Sequence, residues 1–83
     1  MFDDQEIAFI AESGVYSFRG EYDINNNLIY AGTAIAGADR AAKVWRIKKL
    51  WYDVNDNLVH INWPNGSVDF EFSWDDRATY TYQ

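Results

Sequence analysis

Cysteine is absent from this chain, and histidine and proline occur once each. Without cysteine there is no disulfide framework, and a lone His60 cannot complete a Cys/His zinc site. No apolar run approaches the roughly 18 residues that a membrane-spanning helix needs. The opening Met1-Phe2-Asp3-Asp4-Gln5-Glu6 has no basic stretch of the signal-peptide kind, so the expectation is a soluble protein made in a cytoplasm, with no membrane partner. Positive charge is scarce too: seven Lys and Arg stand against thirteen Asp and Glu, for a net charge of −6. That balance argues against a nucleic-acid binder working by phosphate neutralisation. Five of the seven cations, Arg40, Lys43, Arg46, Lys48 and Lys49, nevertheless fall within ten residues that contain no acid.

Aromatic residues are abundant. Four Trp, six Tyr and five Phe make up 18% of the 83 residues. A chain of this length reads as a single β-rich domain over residues 1–83, of a size that buries only about 60% of its unfolded surface. Small domains usually add a staple or a partner. With neither disulfide nor zinc available, stability must come from a dense aromatic core or from assembly with other chains.

One segment is used twice. Tyr22-Asp23-Ile24-Asn25-Asn26-Asn27-Leu28-Ile29 returns thirty positions later as Tyr52-Asp53-Val54-Asn55-Asp56-Asn57-Leu58-Val59. An aromatic strand end, an Asp/Asn cluster that bonds its own backbone, and a fresh aliphatic strand spell a β-hairpin in each copy. Before the second turn, Lys43 to Tyr52 alternates as a strand, although Val44, Ile47 and Trp51 also fit a helix over residues 39–51. The alternating run Tyr16-Ser17-Phe18-Arg19-Gly20 before the first turn favours the strand.

Further on, Asn65-Gly66 is a strong hairpin signal. A two-residue loop there pairs Trp63 with Val68, Ile61 with Phe70 and Val59 with Phe72, which gathers those six on one buried face. On the other face it sets His60 against Glu71 and Asn62 against Asp69. Folding residues 43–52 back through 53–57 sets Lys48 near Asn62 and Ile47 near Trp63, and the Arg/Lys run becomes a solvated strand face balanced by Asp69 and Glu71. Residues 6–11 are expected to form a first strand. Residues 32–42, rich in Gly and Ala, read as a long connection suited to close backbone approach by another subunit. Residues 78–82 read as a last edge strand or an arm that pairs with a neighbour. The fold class expected is all-β: a small antiparallel sheet, sandwich or barrel of repeated hairpins with little or no helix.

Motifs that would carry chemistry do not assemble. Asp23-x-Asn25-x-Asn27 and Asp53-x-Asn55-x-Asn57 open like calcium loops, but the sixth position is Leu28 or Leu58 where such loops need Gly, and the twelfth is Ala34 or Pro64 where they need Glu. Both read as turns. Asp75-Asp76 beside Arg77 reads as a solvated turn rather than an acid/base pair. No phosphate-cradling glycine loop and no nucleophile–base pair is present. The sequence therefore nominates no catalytic residue, no metal ligand and no cofactor, and the expectation is a protein that is not an enzyme.

Tyr30-x-Gly32-x-Ala34, Gly37, Trp45-x-Ile47-x-Lys49, Tyr52-Asp53, Asn57, Trp63, Gly66, Phe70 and Trp74-Asp75-Asp76-Arg77-x-x-Tyr80 together resemble small virion-associated structural proteins of tailed bacteriophages. The likeness spans about two thirds of the chain and departs from the family pattern at Asn26, Asp56 and Ala36-Gly37, where glycine within the turn and Pro-Gly are expected. The resemblance implies a virion protein, in head decoration, head–tail connection or tail. Its partners would be other virion proteins or copies of itself. Gly32, Ala34, Ile35, Gly37, Arg40, Tyr80 and Tyr82 are the candidate partner-contact residues. Two alternatives stand beside it: a ligand- or glycan-binding module stacking on Trp51, Trp45 or Tyr30, and an acidic inhibitor or decoy.

Overall fold

A computed structural model of the chain describes residues 16–83; the strand expected at residues 6–11 lies outside them. Five strands run in order, β1 Tyr16–Tyr22, β2 Leu28–Ile35, β3 Lys43–Tyr52, β4 Leu58–Asn62 and the short β5 Phe72–Ser73, followed by one 3-10 turn, Arg77–Thr79. The first four form an antiparallel meander, and β5 pairs with the start of β3. The expected all-β fold of repeated hairpins is what the chain adopts, as an open sheet. Residues 43–52 are strand, so the helical alternative for them is set aside.

The repeated octet builds the same turn twice. Asp23 Oδ1 accepts the backbone N–H groups of Asn25 (2.8 Å) and Asn27 (3.0 Å). Asp53 Oδ1 accepts those of Asn55 (2.9 Å) and Asn57 (3.0 Å). The third Asx residue of each, Asn26 and Asp56, sits at φ 63°. Asn and Asp tolerate that left-handed region better than other side chains. These are also the positions at which the family resemblance expects glycine.

Each hairpin carries one extra residue just past its turn. Tyr22 pairs with Leu28 but Glu21 with Tyr30, which leaves Ile29 between; Tyr52 pairs with Leu58 but Trp51 with His60, which leaves Val59 between. A bulge of this kind shifts the register by one. The expected contacts of Lys48 with Asn62 and Ile47 with Trp63 are corrected accordingly: Lys49 faces Asn62 and Leu50 faces Ile61. Because side chains alternate along a strand, one step sends Asn62 and His60 to the face that bears Trp45, Ile47 and Lys49.

The hairpin expected around Asn65-Gly66 is the second correction. The turn exists, with Asn65 at φ 51° and Gly66 at φ 74°, and Ser67 N–H donates to the Pro64 carbonyl at 2.8 Å. The strands on either side of it do not pair with each other. Trp63 exchanges two backbone hydrogen bonds with Gln83, 3.1 and 2.9 Å, and Pro64 bridges to Tyr82. Of the six residues expected on one buried face, Phe72 is buried, Ile61 and Trp63 are half-buried, and Val59, Val68 and Phe70 are exposed. His60 stands opposite Trp51, not Glu71, whose carboxylate instead accepts the Ser67 hydroxyl at 2.9 Å.

What covers the sheet is the segment from Phe72 onward. Phe72 and Trp74 join Ala34, Trp45 and Ile47 in the core, with Tyr30, Ala38, Tyr80 and Tyr82 packed around them. Trp45 and Trp74 lie with ring centroids 6.1 Å apart, and Phe72 meets Tyr80 edge-on at 5.0 Å. Gly32 makes this possible. A Cβ there would lie 2.6 Å from Trp74 Cε3, so any larger residue would push the indole off β2. The reason the Asn65-Gly66 hairpin loses is burial: pairing residues 68–74 with β4 would spend Phe72 and Trp74 on a strand edge instead of on the sheet face, and fully burying a large apolar side chain is worth about 1.5–3 kcal/mol.

Candidate functional site

The seven residues nominated for partner contact fall into three groups. Gly32 and Ala34 belong to β2 and are buried under Trp74 and Trp45. They are small because this chain's own indoles need the space. The expected long connection at 32–42 is thus shortened to residues 36–42. Ile35, Gly37 and Arg40 do face outward: Ile35 is 66% exposed, Gly37 turns at φ 83° where a Cβ would meet nothing within 4 Å, and the Arg40 guanidinium pairs with Asp75 at 3.0 Å on the surface.

Tyr80 and Tyr82 form the third group, and they are no free arm. Tyr80 Oη accepts the Ser73 backbone N–H at 2.9 Å, and Tyr82 Oη donates to the Arg77 carbonyl at 2.7 Å. Tyr82 also packs on Tyr30, ring centroids 5.6 Å apart. Burial, and then the neighbouring hydroxyls of Tyr30 and Tyr80, push the Tyr82 phenol well above its ordinary value. A phenol raised in the fold is held neutral there, so its contribution to stability is intact at neutral pH and declines as pH climbs past about 10, where the unfolded phenol ionises.

The basic run on β3 is not the solvated face that its charge pattern suggested. Lys48 is buried, and the Arg46 guanidinium stacks over Trp63 (5.0 Å to the ring centroid) and Phe70 (5.9 Å). Lys49 Nζ sits 4.1 Å from the Trp51 centroid and 5.5 Å from that of Tyr30. Aromatic faces attract cations in this way, and the arrangement explains how a cationic strand occupies the middle of an aromatic sheet. It also bears on the stacking platform. Trp45 is fully buried, and Trp51, 43% exposed, is held by a 2.9 Å bond from its Nε1 to Asn62 Oδ1 with a lysine already over its ring.

Among the described residues no three His, Cys, Asp or Glu side chains gather to hold a metal. The carboxylates of the two Asx turns are spent on backbone N–H groups. The Asn57 backbone N–H above all, and then the Asn55 N–H and the Asn57 side-chain amide, hold the Asp53 carboxyl below its ordinary value. Arg77 is likewise engaged, donating to Glu21 Oε1 at 2.8 Å while its guanidinium lies 4.6 Å from the Trp74 ring centroid.

What the sequence did not single out is the other end of the sheet. The two Asx turns lie side by side, tied by a 2.9 Å bond from Asn27 Nδ2 to Asp56 Oδ1. At their tips Ile24 is 96% and Val54 97% exposed. The repeat that announced the turns also placed an aliphatic residue at the same position of each, and that coincidence was the available signal. No protein-family model, curated protein or solved structure matches the chain.

Proposed function

We propose that this protein is a non-enzymatic assembly component, built to contact other proteins, and that its setting is the bacteriophage virion. The observation that carries the assembly reading is the distribution of apolar surface. A domain that buries Trp45, Ile47, Phe72 and Trp74 leaves Ile24, Ile35, Val54 and Val59 more than half exposed, with Phe70 nearly so. Exposed aliphatics scattered singly are ordinary, whereas neighbouring ones mark interaction surfaces; Ile24 and Val54 sit on the two turns that Asn27 and Asp56 tie together. Several side chains with chemistry to offer are engaged in the fold: Asp23 and Asp53 in their turns, Arg46, Lys49 and Arg77 on aromatic rings, and Tyr52, Tyr80 and Tyr82 on backbone groups. The virion setting comes from the family resemblance.

Mass spectrometry of purified phage particles tests this reading. The expected result is the intact chain, present at a fixed copy number per particle. A particle free of it, made by cells that express it, would set the virion reading aside.

A further inference from the structure

We propose that the paired turn tips are a two-pronged docking element whose occupant is a different protein, through an apolar cleft rimmed by lysine and arginine. The proposal rests on the assembly reading and gives it a contact point.

First, the turns require little of the residue at the tip. The Asn26 N–H bonds the Asp23 carbonyl at 3.0 Å and the Asp56 N–H bonds the Asp53 carbonyl at 3.1 Å, which makes Ile24 and Val54 the second residues of their four-residue turns. Nothing in that geometry calls for a β-branched aliphatic side chain. Both copies nevertheless place one there, almost wholly in water. The cost of exposing a single such residue is modest, but its repetition at two adjoining tips is not explained by folding. Tyr22 and Leu58, at the strand ends beside the two turns, are half-exposed as well.

Second, the prongs are rigid before they meet anything. Each tip is closed by two hydrogen bonds from backbone N–H groups to one aspartate oxygen, and the Asn27–Asp56 bond fixes one tip relative to the other. A contact made from a preorganised backbone forfeits less conformational entropy.

Third, charge chooses the partner. Residues 20–30 and 50–59 contain Glu21, Asp23, Asp53 and Asp56 and no lysine or arginine. Glu21 is neutralised by Arg77; the three aspartates stay with the prongs. A complementary surface must be apolar where Ile24 and Val54 enter and cationic around them. Acidic tips are repelled by anionic lipid headgroups, which disfavours a membrane as the occupant. A second copy brings a net charge of −6 of its own, which sets like charge against like and disfavours self-association.

The exposure of both tips makes a direct test possible. A photo-crosslinking residue is placed at Val54, and in a second variant at Val68, another exposed aliphatic far along the chain, in the cells that produce the protein. The expected result is one discrete crosslinked product at position 54 and none at 68. Its partner peptide should contain lysine or arginine beside apolar residues, and it should be lost in an I24D variant and in high salt. Circular dichroism of I24D should match wild type, since a side chain 96% exposed holds up nothing. No product above the position-68 background, a product joining two copies of this chain, one insensitive to I24D, or binding to anionic vesicles in its place would each overturn the proposal. Absence from phage particles with the crosslink intact would instead remove the virion setting and leave the docking element standing.

Discussion

The Asx turns and the Asn65-Gly66 turn differ in one respect that organises the molecule. All three are legible from side-chain chemistry, and all three form. After the Asx turns the flanking strands pair with each other; after Asn65-Gly66 they part. A turn is decided within five residues by hydrogen bonds to its own backbone, whereas pairing of the flanks is decided by where their large side chains find burial. Residues 68–74 follow Phe72 and Trp74 to the face of the sheet, and the vacated place beside Trp63 goes to Gln83.

Substituting the residues that settle this contest gives the largest effect. Trp74→Ala should cost about 3–5 kcal/mol, as truncation of a buried large aromatic does, and unfold a domain this small; chemical denaturation followed by tryptophan fluorescence measures it. A Trp74→Ala protein with near wild-type stability would mean that the covering segment does not hold the sheet. Next come Asp23→Ala and Asp53→Ala, which should lower the melting temperature by smaller amounts, since each carboxylate holds two backbone N–H groups of its turn. Asp53→Ala should lose at least as much as Asp23→Ala, because Asp53 also accepts the Asn57 side-chain amide at 3.3 Å; a larger loss at Asp23 would show that the two copies are alike in shape only.

Phe70→Ala should cost less, about 1–2 kcal/mol, since the half-exposed ring stacks on Tyr16 with ring centroids 6.2 Å apart and lies under the Arg46 guanidinium at 5.9 Å. A loss several times larger would restore the paired hairpin around Asn65-Gly66. The smallest effect concerns pH. Since the Asp53 carboxyl is held below its ordinary value of 3.8, its contribution is present above pH 3.8 and declines as pH falls through the lower folded value. Asp53→Asn should therefore flatten the acid limb of the stability profile. Millimolar calcium, by contrast, should shift the melting temperature no more than an equal ionic strength of sodium chloride does.

How far the sequence could be read follows the same division. The octet at 22–29 and 52–59 identified both hairpins, and alternation identified β3 with its ends at Lys43 and Tyr52. The bulges at Ile29 and Val59 were not legible, because an extra residue in a strand leaves the composition of the pattern unchanged while moving everything beyond it to the opposite face. Nor was the role of Gly32 and Ala34. Small residues look the same whether they admit a partner's backbone or this chain's own Trp74, and only the packed structure tells them apart. The turn tips were not legible as a site, because Asp and Asn account for each turn completely without the residue between them.

The covering segment docks from far along the chain. β1 to β4 can pair with their sequence neighbours alone, so until Phe72, Trp74, Tyr80 and Tyr82 dock, the sheet has Trp45, Ile47 and Ala34 facing water. Both Asx turns can close in that interval, since they need nothing from later in the chain. The sheet cannot become a domain until its last described residues arrive, and during that delay its bare aromatic face is the surface on which a chaperone, or a neighbouring nascent chain, would find its hold.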